Sequence, residues 1–490
     1  MKHFLKLKNI KYFLLLVLVM FPMFQHLGSL PIRLWDESRL AVSALEMSQN
    51  NNYLVTTFKD APDMWNTKPP LMIWCQVASI KLFGANETAI RLPSALAALL
   101  LCFLLLWFSD RYLKSSWYGF IAVMVLITSS GYIGEHVART GDYDSLLTLM
   151  LTAAGLLLFA YCESKKVKYL YFFFIFLALA VLTKGVAGLL MVPGFGLYVI
   201  FSHNFISLLK NKHFYFSLIC FLLISFGYYQ LRELYNPGYI EAVLENEFGG
   251  RFLQSNEGHA GTFWFYLNNL VNERFTPWYM LLPAGILCGF YVKDIRINRL
   301  TLFATLSAVS FFIVISMSDT KIFWYDAPLY PYFAILTATI IYFVFDTIST
   351  SKTLIQKQKQ NVAPYIFIFL LFISPYKTIF NLTNKPKEKP DAVEFYEITN
   401  YLKTAEKKHI DLNGKFLVSE NIFANNYYYI LLMNQNNIDF NYKPVSEVGN
   451  NETVIIYENS IKEKLEKKFE CELLDSKGII NTYRTHERKP

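Results

Sequence analysis

Two groups of ionisable residues in this sequence have the types and spacing that acid–base chemistry needs. The first is Asp36-Glu37, which directly follows an apolar stretch. Adjacent carboxylates suit a general base, because one can accept a proton while its neighbour orients it or raises its pKa. An acidic pair at the start of a helix over residues 38–47 would instead be stabilised by the helix dipole. From these two residues alone, both interpretations stay open.

The second group lies in Glu135–Asp144 and contains a histidine beside its acids. Asp142 and Asp144 are two residues apart, so only one of them can face the first pair if the segment is helical. His136 and these acids are residue types that hold a divalent metal, but their spacing does not diagnose a metal site. Metal binding therefore stays unknown at this point, with His136 and the more distant His259 as candidate ligands.

Four cations lie near the ends of apolar stretches, where they could bind a phosphate through charge-assisted hydrogen bonds. Lys68 precedes two prolines, which exclude a continuous helix and fix an extended approach to the next apolar turn. Lys184 and Lys321 lie in short turns, and Arg251 lies in a long polar loop. Each of these four residues could instead be an ordinary solvated cation. A phosphate site forms only if the fold brings them together.

The elements that must position these residues are membrane spans. Of the 490 residues, 54% are hydrophobic and 17% are charged, whereas a soluble domain carries about a quarter charged residues. The apolar residues occur in blocks of about twenty, the length at which a helix crosses a hydrocarbon core of ~30 Å. We predict a polytopic α-helical membrane protein with about 11–13 spans. The eleven candidates are Ile10–Leu30, Leu92–Phe108, Trp117–Gly134, Ser145–Cys162, Tyr169–Leu182, Val186–Phe201, His213–Leu231, Pro277–Val292, Leu300–Met317, Tyr325–Phe345 and Ala363–Asn381.

Basic residues alternate between the loops and predict an orientation. Cytoplasmic loops carry an excess of Lys and Arg, and here the even-numbered loops are short and basic. The odd-numbered loops, among them the large loops 31–91 and 232–276, carry the acids and histidines and are predicted to lie outside. The N-terminus is then cytoplasmic, and much of the net charge of +8 reflects topology rather than a nucleic-acid partner. The shorter apolar segment Met72–Leu82 is predicted to lie in the membrane interface.

The composition changes after Asn381, so we divide the chain into a transmembrane domain, residues 1–381, and a small periplasmic α/β domain, residues 382–490. A polar linker with two prolines, Lys385–Pro390, follows the last span. Periodicity predicts two helices and two short buried strands in the second domain. These are the helices Asp391–Lys408 and Ser460–Phe469 and the strands Phe416–Ser419 and Thr453–Tyr457. Only Cys471 of the six cysteines lies there, which excludes a disulfide within this domain.

An ordered set of motifs between Trp35 and Leu336 resembles the bacterial aminoarabinose transferases. These enzymes are the bacterial branch of the protein O-mannosyltransferase superfamily, which has the C-type glycosyltransferase fold. None of the motifs is specific alone, but their common order is. They are Asp36-Glu37, Lys68-Pro-Pro70, Phe83–Pro93, Ala138–Asp144, Leu182–Gly185, Phe263–Tyr266 with Pro277-Trp278, and Lys321–Pro331.

The resemblance implies an inverting glycosyltransferase that uses an undecaprenyl-phosphate sugar in a periplasmic cavity. It implies catalytic positions among the acids already singled out, namely Asp36 first, then Asp144, with Asp142 and Glu37 beside them. The implied donor-phosphate ligands are Lys68, Lys184, Arg251, Lys321 and Tyr325. Relatives often have Glu where this chain has Thr67, which weakens a metal site there. No cofactor is expected to be required, while a divalent metal stays open.

A transporter or lipid flippase is the alternative function, because charges in or near the membrane also mark substrate paths. It would place charges in mid-span and interrupt helices in matching halves. The candidate residues instead cluster at predicted outer helix ends, and the sequence shows no repeated half. We therefore predict a multi-pass enzyme of the bacterial inner membrane. Its partners would be a polyprenyl-phosphate sugar, a lipid, protein or glycan acceptor, and membrane lipid.

Overall fold

The fold is taken from a computed structural model, which describes residues 7–249, 260–351, 361–384, 386–408 and 410–489. Helices of ten or more residues in these ranges are numbered in chain order. The first thirteen are α1 (Leu7–Phe24), α2 (Asp36–Asn50), α3 (Leu71–Phe83), α4 (Glu87–Phe108), α5 (Ser116–Ile127), α6 (Asp144–Ser164), α7 (Val167–Lys184), α8 (Val192–Phe201), α9 (Lys212–Tyr235), α10 (Leu282–Tyr291), α11 (Ile295–Met317), α12 (Tyr330–Thr350) and α13 (Ala363–Asn384).

Most of these helices are apolar. Over the described ranges, seven helices are long and apolar enough to cross a membrane, and five further apolar helices have 10–17 residues. Each of the eleven predicted spans overlaps one of them, so the prediction of a polytopic α-helical membrane protein is confirmed. The remaining apolar helix is α3, in the segment that the sequence assigned to the interface.

Polar side chains define where several helices begin. Asn86 accepts a hydrogen bond from the backbone N–H of Ala89 at the start of α4, and Ser115 does the same for Tyr118 at the start of α5. The first backbone N–H groups of a helix have no partner within the helix, and caps of this kind satisfy them. Hydrocarbon offers no such partner, so capping at the membrane boundary fixes the ends of the helices.

Small residues allow the helices to approach one another closely. A Cβ atom on Gly285 in α10 would overlap the carbonyl oxygen of Leu336 in α12. One on Gly289, a turn later, would overlap the side chain of Thr301 in α11. Association of helices in lipid depends on such close packing, because lipid tails are as apolar as the side chains. These glycines therefore hold α10, α11 and α12 together.

Short elements connect the long helices. Antiparallel strands β1 (Thr57–Phe58) and β2 (Ala61–Pro62) form a small hairpin after α2. The shorter helical segments are Ser109–Leu113, Ser130–Ile133, Gly185–Leu189, Phe205–Leu209, Tyr239–Val243, Leu244–Gly249, Phe265–Asn269, Leu270–Arg274, Trp278–Leu281, Phe323–Leu329 and Val445–Glu447. Residues 25–70, 134–144 and 318–328 contact one another, through Glu37 with Gly141, Asn66 with Tyr143, and His136 with Trp324. We call these three segments the loop face.

The described residues from 386 onward form the C-terminal domain, a mixed sheet with helices. Strand β3 (Lys415–Val418) lies between β4 (Phe440–Lys443) and β5 (Thr453–Ile456) and is parallel to both. The antiparallel strands β7 (Ile480–Arg488) and β6 (Phe469–Lys477) follow β5, giving the order β4-β3-β5-β7-β6. The α/β class predicted for this domain is confirmed. Its elements are α14 (Glu397–Lys408), β3 (Lys415–Val418), α15 (Ala424–Gln435), β4 (Phe440–Lys443), β5 (Thr453–Ile456), α16 (Asn459–Lys468), β6 (Phe469–Lys477) and β7 (Ile480–Arg488).

Candidate functional site

Asp36 and Glu37 are neighbours at the start of α2 but lie in different environments. Glu37 is fully buried and accepts hydrogen bonds from the guanidinium of Arg91 (2.7 and 2.9 Å). It also accepts the backbone N–H groups of Arg33 and Gly141, each at 2.7 Å. Burial alone would raise the pKa of Glu37, but Arg91 and these N–H groups hold that pKa below its usual range. Asp36, by contrast, is only partly buried.

The segment before α6 brings a histidine and two acids beside Asp36. The Nδ1 atom of His136 lies 2.6 Å from a carboxylate oxygen of Asp142, and its ring stacks on Trp324 with the centroids 3.6 Å apart. Burial is the largest single effect and opposes the imidazolium. The charge and the hydrogen bond of Asp142, together with the charges of Asp36 and Glu135, outweigh burial and raise the pKa of His136. The charge of Asp36 acts on His136, Asp142 and Asp144 alike.

Asp144 and Lys184 form a buried ion pair where two antiparallel helices meet. Asp144 is the first residue of α6 and Lys184 is the last residue of α7, and these helices pack side by side. The Lys184 ammonium donates to both carboxylate oxygens of Asp144, each at 2.7 Å, and lies 4.8 Å from the ring centroid of Tyr325. Each charge thereby compensates the other in a place where a lone charge would be costly.

Lys68 is almost fully buried at the end of a tightly held segment. The hydroxyl of Tyr239 donates to the carbonyl of Thr67 (2.7 Å). Asn66 and Tyr143 hydrogen-bond to each other through their side chains, at 2.8 and 3.1 Å. The Lys68 ammonium lies 5.4 Å from the ring centroid of Tyr143. These contacts, with the two following prolines, fix the position of the Lys68 side chain.

A cavity joins several of these residues. Lys68, Lys184, Asp144 and Tyr325 line its polar part, together with Glu247. Most of the other lining residues are apolar and come from α6, α11 and the turn between α7 and α8. A cavity with two ammonium groups beside an apolar wall suits a ligand that has an anionic head and an apolar chain.

Lys321 does not line this cavity. The ammonium of Lys321 donates to the carbonyl oxygens of Ile315 (3.2 Å) and Ser316 (2.7 Å), so it caps the C-terminal end of α11. Burial lowers the pKa of Lys321. Its role as a phosphate ligand stays a prediction. Arg251 and His259 lie outside the described residues, and their roles also stay predictions.

No group of three or more His, Cys, Asp and Glu side chains in the described part of the chain is arranged to hold a metal ion. The candidate ligand His136 is bonded to Asp142 and stacked on Trp324. Thr67, which carries no carboxylate, occupies the position before Lys68.

Sequence reasoning missed the charged residues that hold these segments in place. Arg39 binds the carboxylate of Asp63 with two hydrogen bonds, at 2.7 and 2.6 Å. Arg232 is fully buried and donates to the backbone carbonyl of Asp63 (2.9 Å). Arg91 and Glu87 lie in the Phe83–Pro93 motif. A charge next to or inside an apolar stretch is costly and needs a buried partner, and this signal could have identified Arg91 and Arg232.

Comparison with known protein families supports the resemblance found in the motifs. The family described as dolichyl-phosphate-mannose-protein mannosyltransferase matches residues 67–229. An uncharacterized protein of Aquifex aeolicus is 26% identical over 332 residues, which cover 68% of this chain and 64% of that protein. An undecaprenyl phosphate-alpha-4-amino-4-deoxy-L-arabinose arabinosyl transferase of Shewanella sediminis is 27% identical over 326 residues, which cover 64% of this chain and 57% of that one. The chain thus spans less than two thirds of these relatives.

Comparison with solved structures gives the fold. The structure of ArnT from Cupriavidus metallidurans bound to undecaprenyl phosphate superposes with a TM-score of 0.74 at 14% identity, covering 98% of each chain. The apo state of the same protein superposes with a TM-score of 0.69. The predicted resemblance to aminoarabinose transferases of the protein O-mannosyltransferase superfamily is confirmed, and this chain shares their fold.

Proposed function

We propose that this protein is a glycosyltransferase of the bacterial inner membrane that takes a sugar from a polyprenyl-phosphate donor. The observation that carries the proposal is the cavity in which Lys68 and Lys184 face an apolar wall, beside Asp36 at the loop face. The relatives named as undecaprenyl-phosphate-dependent transferases support the donor class. Basic loops at the opposite end of the bundle support an outward, periplasmic position for the loop face and the C-terminal domain.

The reaction is an inverting displacement at the anomeric carbon. A hydroxyl of the acceptor attacks from the side opposite the donor phosphate, a new C–O bond forms, and the old bond breaks with its electron pair on the polyprenyl phosphate. Asp36, which is partly exposed in the first turn of α2, takes the hydroxyl proton as general base. If the acceptor is a phosphate, no proton is removed, and Asp36 orients the acceptor.

Cations at the leaving group supply the second part of catalysis. Lys68 and Lys184 would bind the phosphate oxygens, and the negative charge that develops there strengthens these contacts in the transition state. The ring of Tyr325 lies against the Lys184 ammonium and bounds the same part of the cavity. Asp144 holds Lys184 in place. Asp142 with His136 and Glu37 with Arg91 shape the surrounding segments. The acceptor would be lipid A, a protein or an envelope glycan.

The test is Asp36→Asn, assayed with purified protein, a radiolabelled undecaprenyl-phosphate sugar and envelope acceptors. Asn keeps the size and most of the hydrogen bonds of Asp but cannot accept the proton. We expect transfer to fall by about 10²–10⁴-fold, the usual contribution of a general base, with an unchanged melting temperature. Asp319→Asn removes an exposed acid of the same loop face and is the matched control. An Asp36→Asn protein with more than about a tenth of wild-type transfer would refute the assignment.

A further inference from the structure

The segment 27–34, which leads from α1 into Asp36, is bound along its whole backbone by side chains. Part of this binding comes from the membrane domain. Glu37 accepts the N–H of Arg33 (2.7 Å). Arg91 donates to three carbonyl oxygens, those of Leu27 (2.9 Å), Leu30 (2.9 Å) and Pro31 (2.7 Å).

The rest of this binding comes from the C-terminal domain. The Lys403 ammonium donates to the carbonyl oxygens of Gly28 (2.8 Å) and Ser29 (2.7 Å). The hydroxyl oxygens of Tyr429 and Tyr396 accept the remaining N–H groups, those of Ile32 and Leu34, each at 3.2 Å. Each of the eight residues from 27 to 34 therefore has a backbone atom bound by a side chain, and the two domains contribute alternately.

Glu87 joins the two sets of contacts. It lies one helical turn before Arg91 on α4 and is almost fully buried. One of its oxygens accepts the hydroxyl of Tyr429 (2.8 Å) and lies 3.4 Å from the Lys403 ammonium, and the other accepts Lys407 (3.0 Å). One turn of α4 thus binds the C-terminal domain through Glu87 and the segment 27–34 through Arg91.

The backbone next to Asp36 explains why such dense binding is needed. Trp35 has a φ of 73° and a ψ of −134°, a conformation that residues other than glycine rarely adopt. Strain of this kind persists only where the surroundings over-determine the backbone conformation. The segment 27–34 supplies that restraint on one side of Trp35 and α2 supplies it on the other. Loosening the segment would release Trp35 and change the direction of the Asp36 side chain.

We infer that the C-terminal domain helps to build the active site. Its residues Lys403, Tyr396 and Tyr429 are positioning residues that set the direction of the Asp36 side chain. The inference rests on the proposed function, because it assigns these residues to the reaction that Asp36 performs. It gives the C-terminal domain a function that the sequence of the domain does not reveal. The domain acts through contact with the backbone before Asp36, and its own side chains need not touch a substrate.

The inference is tested in the full-length protein with Lys403→Met and Tyr396→Phe, singly and combined. Lys443→Met is the control for the lysine, because Lys443 forms an ion pair with Glu452 (2.8 Å) within the C-terminal domain. Tyr428→Phe is the control for the tyrosines. Tyr428 is the buried neighbour of Tyr429, and its hydroxyl has no hydrogen-bond partner among the described residues.

We expect kcat of the combined variant to fall by about 10- to 100-fold, the effect of displacing a catalytic group by about 1 Å. The KM for the donor should stay within about twofold, because the donor cavity is untouched. Lys403→Arg should restore much of kcat, since a guanidinium can also donate to two carbonyls. If Lys403 and Tyr396 served only folding, their variants would behave like the controls. The melting temperatures of both would fall, and kcat per folded molecule would stay unchanged.

A spin label on the segment separates this inference from the proposed function. Ser29 is exposed, Lys403 binds only its backbone carbonyl, and its hydroxyl donates only to the nearby carbonyl of His26 (2.8 Å). Ser29→Cys in a cysteine-free chain therefore accepts a nitroxide without breaking the contact to Lys403. We expect the label to become more mobile in Lys403→Met and Tyr396→Phe than in the two controls. Unchanged mobility with unchanged kcat in these variants would overturn the role of the C-terminal domain. A wild-type chain that transfers no sugar would overturn the proposed function itself.

Discussion

Two turns that follow long helices each have one lysine at or just after the end of the helix, and the structure uses the two lysines differently. Lys184, the last residue of α7, lies in the cavity and binds the carboxylate of Asp144. Lys321, in the turn after α11, folds back onto the last carbonyl groups of its own helix. In the sequence the two lysines look alike, because each follows an apolar span at the predicted outer end of that span.

The difference shows that a buried partner decides the direction of such a side chain. Asp144 lies at the start of the neighbouring helix and attracts the Lys184 ammonium into the cavity. Lys321 has no acid within ion-pair distance among the described residues, and the nearest acceptors are the carbonyl groups that end α11. Helix C-termini favour cations through their dipole and their unpaired carbonyls. Both lysines stand out in the sequence because each follows an apolar span. Whether a buried acid lies nearby decides which of them enters the cavity.

The largest effect expected from this comparison concerns the ion pair of Lys184 and Asp144. Lys184→Met leaves a buried carboxylate without compensation, which costs about 3–5 kcal/mol. The melting temperature in detergent should fall, and transfer should be lost. Lys184→Met with Asp144→Leu removes both charges and should recover most of the stability, because apolar replacements of a buried pair are often neutral or stabilising.

The double variant also sharpens the assignment of Lys184 to the donor phosphate. Its stability should return while its transfer activity does not, because the phosphate has lost a cation. Thermal unfolding and transfer assays on the same preparations measure the two properties separately. A stable double variant that transfers sugar near the wild-type rate would exclude Lys184 from the donor site.

A smaller effect is expected at the second turn. Lys321→Met removes a charged donor from the end of α11, and hydrogen bonds to charged groups contribute about 1.5–3 kcal/mol. We expect a lower melting temperature and a donor KM within about twofold of wild type. Lys184→Met, by contrast, should impair donor use. A tenfold rise in donor KM in Lys321→Met, with unchanged stability, would mean that Lys321 turns toward the phosphate when the donor binds.

The fold was largely predictable from the sequence. Blocks of about twenty apolar residues correspond to the long helices, since length and hydropathy alone determine a span. The C-terminal domain was predicted less completely. The predicted helix Asp391–Lys408 begins at Glu397, and α15 was missed. Residues 425–430 of α15 are all buried, so this helix shows no amphipathic period.

The residues of the candidate site were singled out from the sequence, and their roles stay predictions; their contacts could not be predicted. Asp36, Asp144, Lys68 and Lys184 were singled out because ionisable residues next to spans are costly. Their partners were not, because each lies far away in the sequence: Asp144 binds a lysine 40 residues later. The role of Arg91, which binds Glu37 and the segment 27–34, depends on how α4 packs and not on any local pattern.

The smallest effect expected concerns the turn of Lys321 again, through its neighbour Trp324. Trp324 stacks on His136, whose bond to Asp142 raises the pKa of the imidazole above the usual value of 6.5. A raised pKa in the folded state means that the imidazolium stabilises the fold fully below pH 6.5, as long as Asp142, whose pKa burial raises to about 6, keeps its charge. This stabilisation is lost as the pH rises through the raised pKa of His136.

His136→Gln cannot ionise, so its melting temperature should fall further below that of wild type near pH 6 than near about pH 8.5, by an amount that corresponds to ~1 kcal/mol. Melting curves of both proteins from about pH 6 to about pH 8.5 measure the difference. A difference in melting temperature that stays constant or widens as the pH rises would mean that the imidazole of His136 is neutral in the folded state. The turn would then serve only to stack Trp324 against the imidazole.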